Sequence, residues 1–157
     1  MNSDEILRLD NQLCFLVYAC SRAMTNAYRP MLVDLGLTYP QYLVMLVLWE
    51  EGEISVKQLG GRLYLDSGTL TPLLKRMEAA GLITRTRSKS DERSVVVHIT
   101  PQGQSLKQKA ITVPEKLFCR AGLTPEEFYL LRQQLSDIFH HLQDETSCHV
   151  DNTGADQ

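Results

Sequence analysis

No apolar run in this 157-residue chain approaches the roughly 20 residues needed to span a bilayer, because Arg22, Asp34 and Glu50 interrupt the candidates. There is no C-x-x-C, no H-E-x-x-H and no Cys/His pair at zinc spacing, and His140 and His141, being adjacent, would face different sides of a helix. Neither a metal site nor a cofactor is expected. A positive charge excess is also missing: the net charge is −3 and the pI near 5.8, which excludes a generic nucleic-acid coating protein with its domain pI above about 9. Residues 1–10 are acidic and lack the basic flank and small-residue cleavage site of a secretory signal, so a cytoplasmic protein without membrane attachment is expected. Four cysteines (Cys14, Cys20, Cys119, Cys148) do not make a disulfide framework in a chain that is 43% hydrophobic and long enough for its own core; they read as thiols.

What the chain does have is concentrated in residues 55–100. Ser55 and Gln58 form an S-x-x-Q capping box that opens a short helix through Leu63. After a turn at Leu65 and Asp66, a second helix over residues 67–80 places Leu70, Leu73, Leu74 and Met77 on one face and reaches Gly81, where a left-handed cap belongs. Pro72 predicts an irregular first turn. The outward face carries Ser67, Thr69, Thr71, Lys75 and Arg76: hydroxyls small enough to approach base edges, then cations suited to phosphates. Alone, that face is equally a solvated amphipathic helix. Residues 84–87 and 93–99 then form a hairpin around a polar turn, with Arg85, Arg87, Lys89 and Arg93 along it. Two capped helices followed by a basic ribbon outline a winged helix-turn-helix, in a mainly α fold with a small β-hairpin wing. Residues 62–93 hold seven Lys or Arg against four Asp or Glu, a local +3 inside an acidic chain, which favours one docking orientation on duplex DNA.

Long helices flank this unit. Leu9, Leu13, Leu16, Val17, Cys20, Ala23, Met24 and Ala27 repeat at helical spacing, predicting a helix over residues 11–29 with Asp10 as N-cap. Thr38 and Gln41 open an apolar core helix that ends at Gly52, and Thr100 with Pro101 starts another that Pro114 should kink or break. A last helix, residues 125–143, opens on Thr124, Pro125 and Glu127 and puts Phe128, Leu131, Leu135, Ile138, Phe139 and Leu142 on one broad face. The faces of the terminal helices exceed what so small a reading unit can cover, so a homodimer is expected, pairing residues 11–36 and 101–143 about a two-fold axis and leaving 38–100 as the DNA-binding lobe of a single-domain protein. Residues 144–157 are polar and unpatterned, as in a disordered tail.

Cys14 falls in or just after the first turn of its helix, where unpaired amides and the helix dipole favour a thiolate. By position alone, packing is the commoner use of such a cysteine, within Leu13-Cys14-Phe15-Leu16. Cys20, in register with Leu13, Leu16 and Val17, reads as core. Cys14 and Cys20 are six residues apart on one helix, about 9 Å, beyond the roughly 7 Å a disulfide tolerates.

As a set, these residues resemble the MarR family of dimeric winged-helix repressors, first in the wing's Asp91-Glu92-Arg93. Three further stretches, Leu9-Asp10-Asn11-Gln12-Leu13-Cys14-Phe15, Leu37-Thr38-Tyr39-Pro40-Gln41-Tyr42 and Leu65-Asp66-Ser67-Gly68-Thr69-Leu70-Thr71-Pro72-Leu73-Leu74, are similar to its organic hydroperoxide resistance (OhrR) branch. The resemblance covers residues 9–143. It implies that Cys14 is a peroxide-sensing thiolate hydrogen-bonded by Tyr28 and Tyr39, one of them from across the dimer. It also implies that Cys119 sits where two-cysteine members carry a resolving cysteine; a disulfide from Cys14 to Cys119 of the second copy is expected, with Cys148 as the other candidate and capping by a small cellular thiol as the alternative. Asp91 and Arg93 match a wing pair in which the acid orients the arginine for the minor groove. The function so implied is a repressor that holds operator DNA when reduced and releases it when organic hydroperoxide oxidises Cys14. A regulator answering a phenolic ligand is the other reading. A thiol peroxidase is disfavoured, since the P-x-x-x-[ST]-x-x-C pattern is absent and no βαβ scaffold can be drawn; no enzyme is expected.

Overall fold

The computed structural model describes residues 3–88 and 94–144. The expectations for Lys89, Asp91, Arg93 and Cys148, and for a tail beyond residue 144, therefore lie outside the described residues. The chain divides into a unit ending at Leu117 and a second beginning at Phe118.

The first unit opens with a short helix, α1 (Ser3–Ile6), and a single 3-10 turn (Leu9–Asn11), followed by α2 (Leu13–Leu32). Asp10 lies inside that turn and the N-cap position of α2 is Gln12, so the long helix starts two residues later than its periodicity suggests. The reason is local. Asn11 Nδ2 donates to the Glu5 carbonyl (2.6 Å) and Gln12 Nε2 to that of Ile6 (2.6 Å), side-chain bonds that tie the lead-in segment down and compete with helix.

α3 (Tyr39–Glu51) is the spine of the core: Tyr42, Val44, Met45, Val47, Leu48 and Trp49 are all buried. A helix apolar on every side has to be surrounded, and it is, by Leu32 and Leu35 ahead of it, the inner face of the next helices, and Val113 after the wing. Burying each such side chain contributes about 1.5 to 3 kcal/mol. Gly52 then turns the chain into β1 (Glu53–Ser55), a strand too short to show periodicity in sequence. It joins β2 (Ile83–Arg87) and β3 (Val95–Ile99) in an antiparallel sheet of order β1-β3-β2, so the ribbon expected to be two-stranded rests on a third strand. His98 ties all three together, with Nδ1 2.9 Å from Glu53 Oε2 and Nε2 2.8 Å from Thr86 Oγ1.

α4 (Val56–Leu63) and α5 (Ser67–Ala79) form the helix-turn-helix. α5 runs on through Pro72 without a break, and ends as expected at Gly81 (φ 72°), whose amide reaches the Glu78 carbonyl (2.9 Å) while that of Leu82 reaches Met77 (3.0 Å). Beyond the sheet come α6 (Pro101–Ser105), α7 (Lys107–Ala110) and α8 (Thr112–Ala121). The break expected at Pro114 falls three residues earlier, at Ile111, because Pro114 has no amide to return to the Ala110 carbonyl and is tolerated in the first turn of a new helix.

In the second unit, Phe118 at the end of α8 packs on Phe128 of α9 (Pro125–Gln143), ring centroids 4.2 Å apart, and Thr124 and Glu127 close the expected capping box. Within the chain, Leu130, Leu131, Leu135, Ile138 and Leu142 of α9 are exposed, as are Leu13, Leu16 and Val17 of α2. No single helix among the described residues is long and apolar enough to cross a membrane.

Candidate nucleic-acid interface and cysteine site

Asp66 builds the start of α5, the second helix of the helix-turn-helix. Its Oδ1 accepts from the Thr69 amide (2.9 Å) and its Oδ2 from the Thr69 hydroxyl (2.8 Å), and these bonds, the backbone one first, hold the carboxyl below the usual aspartate range. Thr71 donates its hydroxyl proton to the Ser67 carbonyl (2.7 Å). Both threonines are exposed, so what they turn outward is a methyl group and an oxygen with acceptor capacity, rather than a free donor. Ser67, Lys75 and Arg76 are exposed on the same helix, opposite the buried Leu70, Leu73, Leu74 and Met77.

The cations of the local positive patch differ in what they do. Arg62 is paired with Glu50 (2.9 Å) and Glu51. Arg85 on β2 folds back onto Glu78 of α5, whose Oε2 accepts from Nε (3.0 Å) and Nη2 (2.5 Å). Lys75, Arg76 and Arg87 have no ion-pair partner among the described residues and are exposed. Lys57 on α4 belongs with them; nothing in the local spacing of its short helix marks it out, since α4 shows a capping box and a core face but no sign of what its outer side meets. It lines a concavity of about 570 Å³ together with Ser67, Thr71, Arg85 and Ser94.

Cys14 occupies the second position of α2 and is exposed in the single chain, not packed. No side chain caps this helix end, leaving first-turn amides without side-chain partners. Its neighbours Leu13 and Leu16 are 59% and 58% exposed, so the thiol stands in an apolar stripe. Cys20, expected in the core, is exposed too, as are the residues with which it is in register.

Tyr28, late in α2, stacks on Tyr39 at the start of α3 with ring centroids 4.7 Å apart, and on the buried Tyr42 at 5.9 Å. Burial first, then the neighbouring phenols, pushes the Tyr28 hydroxyl up to about 12, and burial raises that of Tyr39, so both stay protonated donors at physiological pH. Fourteen residues of one helix separate Cys14 from Tyr28, about 21 Å at 1.5 Å per residue. A chain cannot bring its own Cys14 to its own Tyr28.

Cys119 is exposed in the last turn of α8, ahead of Gly122 (φ 68°), whose amide closes the helix onto the Phe118 carbonyl (3.1 Å).

Residues 26–110 match the family described as transcriptional regulator SarA/Rot. The organic hydroperoxide resistance transcriptional regulator of Bacillus subtilis (strain 168) is 50% identical over 142 residues, covering 90% of this chain and 95% of that protein. Among solved structures, reduced AbfR bound to DNA is 37% identical with a TM-score of 0.73, covering 91% of this chain and all of that one. The disulfide form of AbfR, a protein of Staphylococcus epidermidis, gives 39% and 0.60 over 87% of this chain and 96% of that one. A mutant of MarR from E. coli, complexed with operator DNA, is 25% identical with a TM-score of 0.73, covering 86% and 96% of the two chains.

The chain belongs to the MarR-type winged-helix regulators, in the branch of the organic hydroperoxide resistance regulators. It is a DNA-binding transcriptional regulator of a non-enzymatic family. Within that MarR-type frame, α5 is the recognition helix and β2-β3 the wing.

Proposed function

We propose that the protein is a homodimeric repressor that holds its operator while Cys14 is reduced and releases it when an organic hydroperoxide oxidises that thiol. The observation that carries the reading is an exposed thiol in the uncapped first turn of α2, set in an exposed apolar stripe, in a chain half identical to an organic hydroperoxide resistance regulator. The thiolate attacks the terminal peroxide oxygen, the O–O bond breaks, and the alkoxide leaves as the alcohol after taking up a proton, leaving a sulfenic acid on Cys14. Tyr28 and Tyr39 of the second copy donate hydrogen bonds to that sulfur. The thiol of Cys119 from the second copy then condenses with the sulfenic acid, forming a disulfide and releasing water. A solved disulfide form of the 39% identical AbfR supports this last step. Closing the bond displaces the end of α8, and a rigid dimer answers by moving its two recognition helices out of register with DNA.

The test is a gel shift with the promoter upstream of the protein's own gene, before and after cumene hydroperoxide and again after dithiothreitol. Cys14→Ser should bind and ignore the peroxide. Non-reducing electrophoresis should show a covalent dimer in wild type, reversed by dithiothreitol, and none in Cys119→Ser. Release of DNA by the Cys14→Ser protein would remove the sensing role from that thiol. A covalent dimer in Cys119→Ser but not in Cys148→Ser would move the second step to Cys148.

A further inference from the structure

We propose that Tyr42 is a third phenol of the sensing site, one that serves the substrate and not the sulfur: it donates a hydrogen bond to the carbon-bearing oxygen of the hydroperoxide, whose organic group lies in the apolar hollow that Tyr42 lines. The inference rests on the proposed oxidation of Cys14 and adds to it the residue that receives the leaving group.

The hollow has a volume of about 280 Å³, at the small end of ligand sites. Tyr42, Leu46 and Trp49 line it from one face of α3, and between Tyr42 and Trp49 only Leu46 is exposed, at 41%. Ala110, Ile111 and Pro114, at the break between α7 and α8, form the wall opposite. The two charged residues of the rim are committed elsewhere: Lys107 Nζ donates to the Trp49 carbonyl (3.0 Å), and Glu50 pairs with Arg62 (2.9 Å). Such a lining suits a neutral, compact apolar group.

Tyr42 is the second observation. Its side chain is 2% exposed, yet its hydroxyl has no hydrogen-bond partner among the described residues. No fully enclosed side-chain oxygen or nitrogen among them goes without a partner, so this oxygen opens onto the hollow that its ring lines. Phenylalanine would fill the same space with no donor to satisfy. The ring stacks on Tyr28 (5.9 Å between centroids), which stacks in turn on Tyr39 (4.7 Å), so the free donor stands next to the two phenols proposed to hold the sulfur. Burial first, then Tyr39, raises the Tyr42 hydroxyl and keeps its proton in place.

The chemistry uses that proton. When Cys14 of the other copy attacks the terminal peroxide oxygen, two electrons pass from sulfur into the O–O bond and the carbon-bearing oxygen departs as an alkoxide. An alkoxide is a stronger base than a phenolate, so the Tyr42 proton transfers to it downhill, giving the alcohol, and the phenolate recovers a proton from water. A peracid differs, since its leaving carboxylate needs no proton.

The experiment mixes reduced full-length protein rapidly with each oxidant, quenches by alkylation and follows the Cys14 thiol by peptide mass spectrometry. Tyr42→Phe keeps the ring contacts and should fold. It should react with cumene hydroperoxide at least about tenfold more slowly than wild type and with peracetic acid within about twofold of it. The pH dependence of Cys14 alkylation should not move, which separates Tyr42 from a donor to the sulfur. Leu46→Trp, filling the hollow from its exposed wall, should slow cumene hydroperoxide more than tert-butyl hydroperoxide. A wild-type rate with cumene hydroperoxide in Tyr42→Phe, or equal slowing with the peracid, overturns the role of Tyr42. Equal slowing of the two hydroperoxides by Leu46→Trp overturns the seat of the organic group. A wild-type Cys14 inert to every oxidant would instead remove the sensing reading itself.

Discussion

Glu78, one residue before the end of the recognition helix, holds Arg85 at the base of the wing with both of its carboxylate oxygens: Oε2 accepts from the guanidinium, and Oε1 from the Arg85 backbone amide at 3.1 Å. One acid thus holds both side chain and main chain of the strand that follows it, tying β2 to the end of α5. The same arginine bonds hold the Glu78 carboxyl below its ordinary range.

Glu78→Ala should therefore weaken operator binding by about two- to fivefold, the range of a partly exposed ion pair, while the fold survives. Hydrogen exchange should locate the effect: the amides of β2 should exchange faster and those of α3 should not. An unchanged exchange rate at Arg85 would mean that the wing is positioned by the sheet alone.

Asp66 offers a pH test with a definite sign. Its folded-state carboxyl is lowered by the Thr69 amide and then the Thr69 hydroxyl, so the cap stabilises the protein above the ordinary aspartate range and loses its effect as pH falls through the lowered value. Asp66→Ala should lower the melting temperature by about 2 to 4 °C near neutral pH. The gap between variant and wild type should hold down to about pH 5 and close only in stronger acid. A gap that closed near pH 7 would point to another group.

What can be read from the chain without coordinates is confined to signals among a few neighbouring residues. The capping pairs Thr38/Gln41, Ser55/Gln58 and Thr124/Glu127, the apolar face of α5 and its Gly81 stop all stand where local spacing puts them. What escapes depends on partners far along the chain or on pieces too short to have a period. β1 is three residues long, and its pairing with β3 spans more than forty positions. Arg85 looks like any arginine of a basic ribbon until the fold sets Glu78 beside it. Position alone reads both Cys14 and Cys20 as packed residues, yet both are exposed in the single chain, since whether an apolar stripe is covered is decided by what packs on it and not by its period.

Gly103 marks where the wing, the core helix α3 and α6 touch. Its carbonyl accepts the Trp49 indole proton at 3.1 Å, and a Cβ added to it would lie 2.3 Å from the Leu82 carbonyl oxygen and 3.1 Å from side-chain atoms of Met45 and Ile99. The Leu82 oxygen is backbone and much too close, so it cannot yield cheaply even where the Met45 side chain gives way. Gly103→Ala should cost about 3 kcal/mol or more in chemical denaturation. Trp49→Phe should cost less, about 1 kcal/mol, by losing the indole hydrogen bond while the Leu106 amide still donates to that carbonyl. Equal stability of Gly103→Ala and wild type would show that the α6 segment can shift away from β2.

The separation of Cys14 from Tyr28 makes the sensing site testable by mixing subunits. With about 21 Å of helix between them, Tyr28 can serve the Cys14 thiol in the proposed way only if the two come from different chains. Cys14→Ser homodimers have no sensing thiol, and Tyr28→Phe homodimers have thiols without that donor; the phenyl ring keeps the stacking on Tyr39, so both should fold. A heterodimer of one Cys14→Ser chain and one Tyr28→Phe chain, isolated through two different affinity tags, places the remaining Cys14 against the remaining Tyr28. Stopped-flow oxidation by cumene hydroperoxide should then proceed at the wild-type rate with half the wild-type amplitude for Cys14. If the pair belonged to one chain, the only Cys14 in the heterodimer would sit beside phenylalanine and react at the slow rate of the Tyr28→Phe homodimer. The two arrangements thus differ in rate and not merely in amplitude, and a slow single phase would reject the assignment of Tyr28 to its partner's cysteine.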